Sequence, residues 1–436
     1  MKFSLVLTAL VLAAGLVPGL FYQKRVGEAR ERQESLRRMA ESRGIHLPAD
    51  DGSGRSRVTK RVRSGNTKAA RAAGGDFLRF AHDLEARGNS SRFDSAMNQR
   101  GQELLARLAA LGPEELKSVL EDLRAEEGIS LETKRNLIGF TVLTMSASQP
   151  EAAARFAADS ADLLGDSVIG EQALFASVQR WAERDPQGAA AWLKTAAANR
   201  PELAEDDVKR SLVGGVAKQD PAEAFRMLGS MGFDDISDGV EAIMNAASDS
   251  PAGRDSVLAA LRGHLATMTD AADREEVRAE GYAALARSMD VKDFETSSAW
   301  LDQAGLSGEE LAAFATGLGY FDAEGETGRW IGWLASRLDI DDLEEPVQEM
   351  MGEWTQQDYL AAGNWLAAEA ESPGKRAAVA AYAEAVAEYE PQVAVQWAMT
   401  LPDTWRRTEV LRSIHENWPE DDPQGAAAFA EQHGIK

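Results

Sequence analysis

Asp185-Pro186-Gln187-Gly188-Ala189-Ala190-Ala191-Trp192 decides the fold, because its pattern returns along the chain. Glu390-Pro391 is followed by Ala394 and Trp397, and Asp422-Pro423 by Ala426 and Phe429. Aspartate is a favoured N-cap, since its side chain accepts bonds from the first orphan backbone N–H groups of a helix. Proline suits the first helical position, where its missing N–H costs nothing and its fixed φ is already helical. A negative cap also complements the positive end of the helix dipole. Each pair therefore predicts a helix start. The small residue three places on and the aromatic six places on share one helix face. There a ring fills the space its small neighbour leaves between packed helices.

Taking the proline position as an anchor, copies stand at Pro113, Pro150, Pro186, Pro221, Phe294, Thr327, Tyr359, Pro391 and Pro423. Spacings run from 32 to 37 residues, with one of 73 that predicts a degraded copy near Asp255 to Val257. Such a period is the mark of helical arrays. A carboxylate precedes seven of the nine anchors: Asp185, Asp220, Asp293, Glu326, Asp358, Glu390 and Asp422. Trp192, Trp300, Trp333, Trp365, Trp397 and Phe429 take the aromatic place. Met145, Trp181, Met289, Trp354 and Trp418 sit four residues before the cap, closing the preceding helix. Each copy reads as two antiparallel helices. The first runs about 10 to 14 residues, an ordinary length. A break follows, marked by Pro201, Pro251, Pro373 or Pro402, and then a second helix, as over 377–389 or 408–418. No run alternates with the period of a strand. The consensus residues are expected to be structural, with the tryptophans in the core.

Asp-Pro-x-x-Ala-x-x-Trp resembles the junction between tetratricopeptide repeats, where a proline ends one unit and a tryptophan follows in the next helix. The likeness covers the start of the first helix in several copies. It does not extend to that family's leucine–glycine pair, since Leu193-Lys194-Thr195-Ala196 follow Trp192. It implies an all-α, right-handed superhelical solenoid of about ten hairpins, with a concave binding face and no catalysis. The function expected on this basis is a non-catalytic interaction or scaffold protein of the bacterial cell envelope.

Charge divides the chain. Residues 23–79 carry 15 Lys and Arg against 7 Asp and Glu, whereas residues 80–436 carry 31 against 64. The acidic body repels nucleic acid phosphates, and its expected partner is a protein or peptide of neutral or basic character. Three segments follow. Residues 1–22 read as a transmembrane anchor or signal peptide, since Phe3–Tyr22 is uncharged and close to membrane-spanning length. Residues 23–75 read as a basic charged helix and a linker without structure. Residues 76–436 form the acidic helical body. Counting Lys and Arg around Phe3–Tyr22 favours a cytoplasmic body, while the short Lys2-led start favours export; a membrane-anchored or exported, periplasmic body is the expectation.

No catalytic, cofactor or metal motif stands out. With no cysteine, thiolate ligands and cysteine nucleophiles are excluded. The histidines, His46, His82, His264, His415 and His433, lack the helical pairing of a zinc protease. Gly317-x-Gly319 lacks a third glycine and a preceding strand. Asp339-Ile340-Asp341-Asp342-Leu343-Glu344-Glu345 has Glu344 where a calcium loop needs glycine and Met350 where it needs glutamate. It reads as an acidic linker and first helical turn. Two other readings stay open: a helical-toroid enzyme acting on cell-wall polysaccharide through a carboxylate pair, and an adaptor binding anionic lipid or polymer through the basic segment.

Overall fold

A computed structural model describes residues 67–87, 95–165, 167–318, 325–402, 404–420 and 422–435. The segment 1–22 and most of the basic segment lie outside them. Among the described residues the chain is all-α, with twenty-one α-helices and one 3-10 turn at Pro201–Ala204. No helix among these residues is long and apolar enough to cross a membrane. The chain divides into two compact units, residues 1–212 and 213–436, with the division inside the helix Asp206–Ala217.

The Asp-Pro pairs start helices by the expected chemistry. Asp185 accepts from Gly188 N–H at 3.0 Å, Asp220 from Glu223 at 3.0 Å, Asp293 from Thr296 at 3.1 Å and Asp422 from Gly425 at 2.9 Å. Asp358 does the same for Ala361 at 2.9 Å. It sits at φ −153°, ψ 82°, breaking the long helical stretch Ile340–Ala368 in two at the expected place. Glutamate is no substitute. Glu326 and Glu390 make no side-chain cap, and Glu326 pairs with Arg329 instead. The extra methylene carries the carboxylate past the orphan N–H groups it would have to meet.

Several boundaries differ from the sequence reading. The double gap holds the helix Pro251–Leu265, capped by Ser250, so this copy begins ahead of Asp255. Pro251 and Pro373 are first helical residues behind serine caps, and not breaks. The second helices therefore start earlier than expected, at Pro373–Val386 and Trp405–Glu416. The helix Thr67–Arg87 takes in residues read as linker, and buries Ala70 and Ala73 beside Phe77, Phe80 and Ala81. Alanine and glycine gave that face too little hydrophobicity to show in composition.

In the first unit, Thr67–Arg87 packs on Pro113–Ala125, and Leu131–Ser146 packs on Val168–Arg184. One core runs through Phe77, Leu108, Leu120, Ile138 and Leu164. In the second unit the second helices pack one upon the next: Ile236–Ala247, Ala271–Arg287, Gly308–Leu318, the first part of Ile340–Ala368, Pro373–Val386 and Trp405–Glu416. With helices on both flanks, their middles are buried on every side, as at 281–286 and 377–383. Small residues make this closeness workable. A Cβ on Gly317 would strike the Ala283 backbone, so Gly317 is a packing residue where Gly308–Leu318 crosses its neighbour.

Candidate interaction surface

The repeat positions account for most of the apolar side chains. Three residues after the anchor, Leu116, Ala153, Ala189, Ala224, Ser297, Trp330, Ala362 and Ala394 are at most 4% exposed, while Ala426 is half-buried. The aromatic place is less enclosed than expected. Trp300 and Phe429 are buried, but Trp192, Trp333, Trp365 and Trp397 are half-buried. They cover the corner between one copy and the next. Trp181 meets Trp192 at 5.4 Å between ring centroids, Trp354 meets Trp365 at 5.8 Å and Trp418 meets Phe429 at 5.0 Å. Each pair brackets an Asp-anchored corner, adding about 0.5–1.5 kcal/mol to its area burial. Trp397 instead meets Tyr382 at 5.9 Å. Trp330, at a normally small place, is fully buried and donates to Val291 O at 2.9 Å. Sequence spacing found these rings but not their partial exposure, because a shared helix face does not say how deep each place lies.

The polar cluster at Arg262, Tyr282 and Glu310 is equally structural. Glu310 accepts from Arg262 Nε at 2.8 Å and Nη2 at 2.7 Å, from the Tyr282 hydroxyl, and from Ser307 N–H at 2.8 Å. Burial alone pushes the Glu310 carboxyl up, but these bonds outweigh it and bring its pKa down to about 2. Burial and the Glu310 charge raise the Tyr282 hydroxyl. Arg262 also donates to the end carbonyls Ala304 and Gly305 at 3.4 and 3.2 Å. The cluster ties the ends of three helices. The described histidines pack: His82 bonds Glu126 at 2.9 Å, His264 stacks on Phe225, and His415 and His433 lie against Phe429. Asp339 to Glu345 is the N-cap position, without a side-chain cap bond, and the first turns of a helix. Among the described residues, no three such side chains are grouped to hold a metal ion.

Among the described residues seven large apolar side chains are exposed; Leu360, Tyr389 and Met399 stand at unrelated places, and the other four share one register. Leu131 (53% exposed), Val168 (70%), Ile340 (43%) and Trp405 (72%) are each the first residue of a second helix. Leu131 and Val168 belong to the first unit, Ile340 and Trp405 to the second. In the second unit Pro373, also exposed, holds the same place on the helix between. Arg406 Nε lies 2.8 Å from Glu344 Oε1, which brings the starts of Ile340–Ala368 and Trp405–Glu416 together. That contact is a pairing of charges without an aimed N–H, since Nε forms no hydrogen bond of acceptable geometry. Arg406 also bonds Glu409 at 2.9 Å. Glu384, on the helix between, has its carboxyl raised by burial, against the Arg406 charge and with help from Glu409 and Glu344. Three carboxylates thus share one guanidinium beside the apolar edge. Met399, also exposed, ends the first helix of the same hairpin as Trp405. These positions were invisible in the sequence, because a first-turn apolar residue looks the same whether covered or open.

No family model and no curated protein matches this chain.

Proposed function

We propose that the chain is a non-catalytic interaction scaffold. Its hairpins stack in solenoid fashion within each unit, and a protein partner is held by side chains outside the repeat consensus. One observation carries the reading: four of the seven exposed large apolar side chains stand at the first position of second helices, while the consensus apolar places are enclosed or paired. Single exposed apolar residues are ordinary on any protein surface. A set held at one register by the repeat supports a surface kept for contact. The apolar run Phe3–Tyr22 would hold this scaffold at a bacterial envelope, with the acidic body on the exported side.

Site-directed photo-crosslinking in the native host tests the proposal. A crosslinking residue at 340 or 405 is expected to give an adduct of discrete mass. The same residue at Glu416, an exposed polar place on the last second helix, is expected to give none. Equal labelling at all three places overturns the reading. Turnover of cell-wall glycan by the purified chain would replace it with the enzyme reading.

A further inference from the structure

We propose that the edge formed by Ile340, Pro373, Met399 and Trp405 docks a basic polypeptide segment that itself carries large apolar side chains. The inference rests on the scaffold reading and names the chemistry of the partner. Two features of the edge select it. The first is its apolar surface: an indole 72% exposed and an isoleucine 43% exposed at matching places on helices whose starts Arg406 and Glu344 join. Such side chains gain most when enclosed by apolar groups of a partner. The second is charge. Glu344, Glu384 and Glu409 lie around Arg406, the neighbouring Arg407 turns to the Leu401 carbonyl at 2.8 Å, and Asp341 and Asp342 stand exposed in the first turn after Ile340.

Residues 340–436 carry 19 Asp and Glu against 6 Lys and Arg. That field repels anionic membranes and nucleic acid. It repels a second copy of the same edge as well, because like charges would face one another across a two-fold interface. It attracts a cationic chain. Lysine or arginine of a bound segment would meet the surplus carboxylates, while its apolar residues cover Trp405 and Ile340. Charge would steer the encounter and apolar contact would hold it.

Fluorescence anisotropy on the purified full chain decides the matter with three labelled peptides of about fourteen residues, a length near four helical turns. One alternates leucine and lysine in an amphipathic helical pattern. The second has serine for every leucine, and the third has glutamate for every lysine. The leucine–lysine peptide is expected to bind at least about tenfold more tightly than either counterpart, the size of effect expected when an anchor contact is lost. Raising salt is expected to weaken it. Trp405→Ser and Ile340→Ser should each weaken it several-fold, and Val168→Ser, at the same register of the first unit, should leave it unchanged. All three are exposed substitutions, so far-ultraviolet dichroism should match the parent chain.

Equal binding of the leucine and serine peptides would show attraction to charge alone and would overturn the proposal. Unchanged binding by a chain carrying both Trp405→Ser and Ile340→Ser would overturn it too. If position 405 crosslinks a discrete partner while the leucine–lysine peptide fails to bind, the scaffold reading survives and the partner chemistry proposed here is wrong.

Discussion

Glu310→Gln is the most searching perturbation of the second unit, because it removes one charge and leaves the shape in place. The parent carboxylate, its side chain 17% exposed, answers the Arg262 guanidinium and accepts from Tyr282 and Ser307 N–H. Its pKa falls from the usual 4.5 to about 2. At about 1.4 kcal/mol per unit, the ionised form contributes about 3 kcal/mol to the folded state. The glutamine keeps one acceptor but abandons the guanidinium, and since Arg262 is 37% exposed the cost lies at or below the low end of the about 3–5 kcal/mol of a fully buried pair. A loss of about 3 kcal/mol at neutral pH is therefore expected.

The pH dependence supplies the internal check. A carboxyl whose folded pKa is depressed stabilises fully above its unfolded value, and that stability fades as pH falls through the folded value. The gap between parent and variant should be constant above about pH 5.5 and close as pH drops from about 4.5 towards 2. Hydrogen exchange of the Ser307 to Leu311 amides reads the local opening directly. Urea unfolding of the whole chain is less informative, because two units need not unfold in one step. A variant as well protected as the parent at pH 7, or a gap that persists at pH 2, would refute the assignment of stabilising charge to Glu310.

Three further outcomes are expected. Asp220→Ala should cost about 1 kcal/mol through loss of its cap, while Glu390→Ala, which removes no cap, should change urea stability by only a few tenths. Trp330→Ala, emptying a fully buried site, should cost about 3–5 kcal/mol, and Trp397→Ala distinctly less, since its ring is half-buried against Tyr382; equal losses would contradict the depth assigned to the two places. Burial lowers the His264 pKa below its usual 6.5, so the folded state resists protonation. Its stability should decline as pH falls below about 6.5, and His264→Phe, which keeps a ring over Phe225, should remove that part of the decline in thermal melts.

Much of the fold was legible because its signals are local. An aspartate reaching its own helix's third N–H is a matter of four residues, and all five Asp caps at anchors form. The failures are informative for the same reason. Glu326 and Glu390 satisfy the pattern of charge but not of reach. Ser250 and Ser372 cap helices as well as aspartate does, yet serine is too common in loops to be noticed. The helix 67–87 was partly missed because Ala70 and Ala73 bury little area each, and only their spacing with Phe77 and Phe80 reveals a face.

Depth was the part that local spacing could not supply. Ala394 and Trp397 lie on one face of one short helix, yet the alanine is wholly enclosed and the indole is half open. What decides between them is the distance to the next helix, a property of packing between copies. The small residue sits at a wholly enclosed place, where a large ring needs room made for it, as Trp330 has at the equivalent place. The aromatic sits a turn later, where its ring meets another ring across the corner. By the same logic Trp405 and Ile340 stay uncovered. They stand at helix starts, a place for which the repeat prescribes no apolar residue. A residue there can be small or polar, as Gly308, Ala271 and Asp206 at equivalent starts show. Large apolar side chains at such places gain little from the fold itself, and the partner proposed above would cover what the fold leaves open.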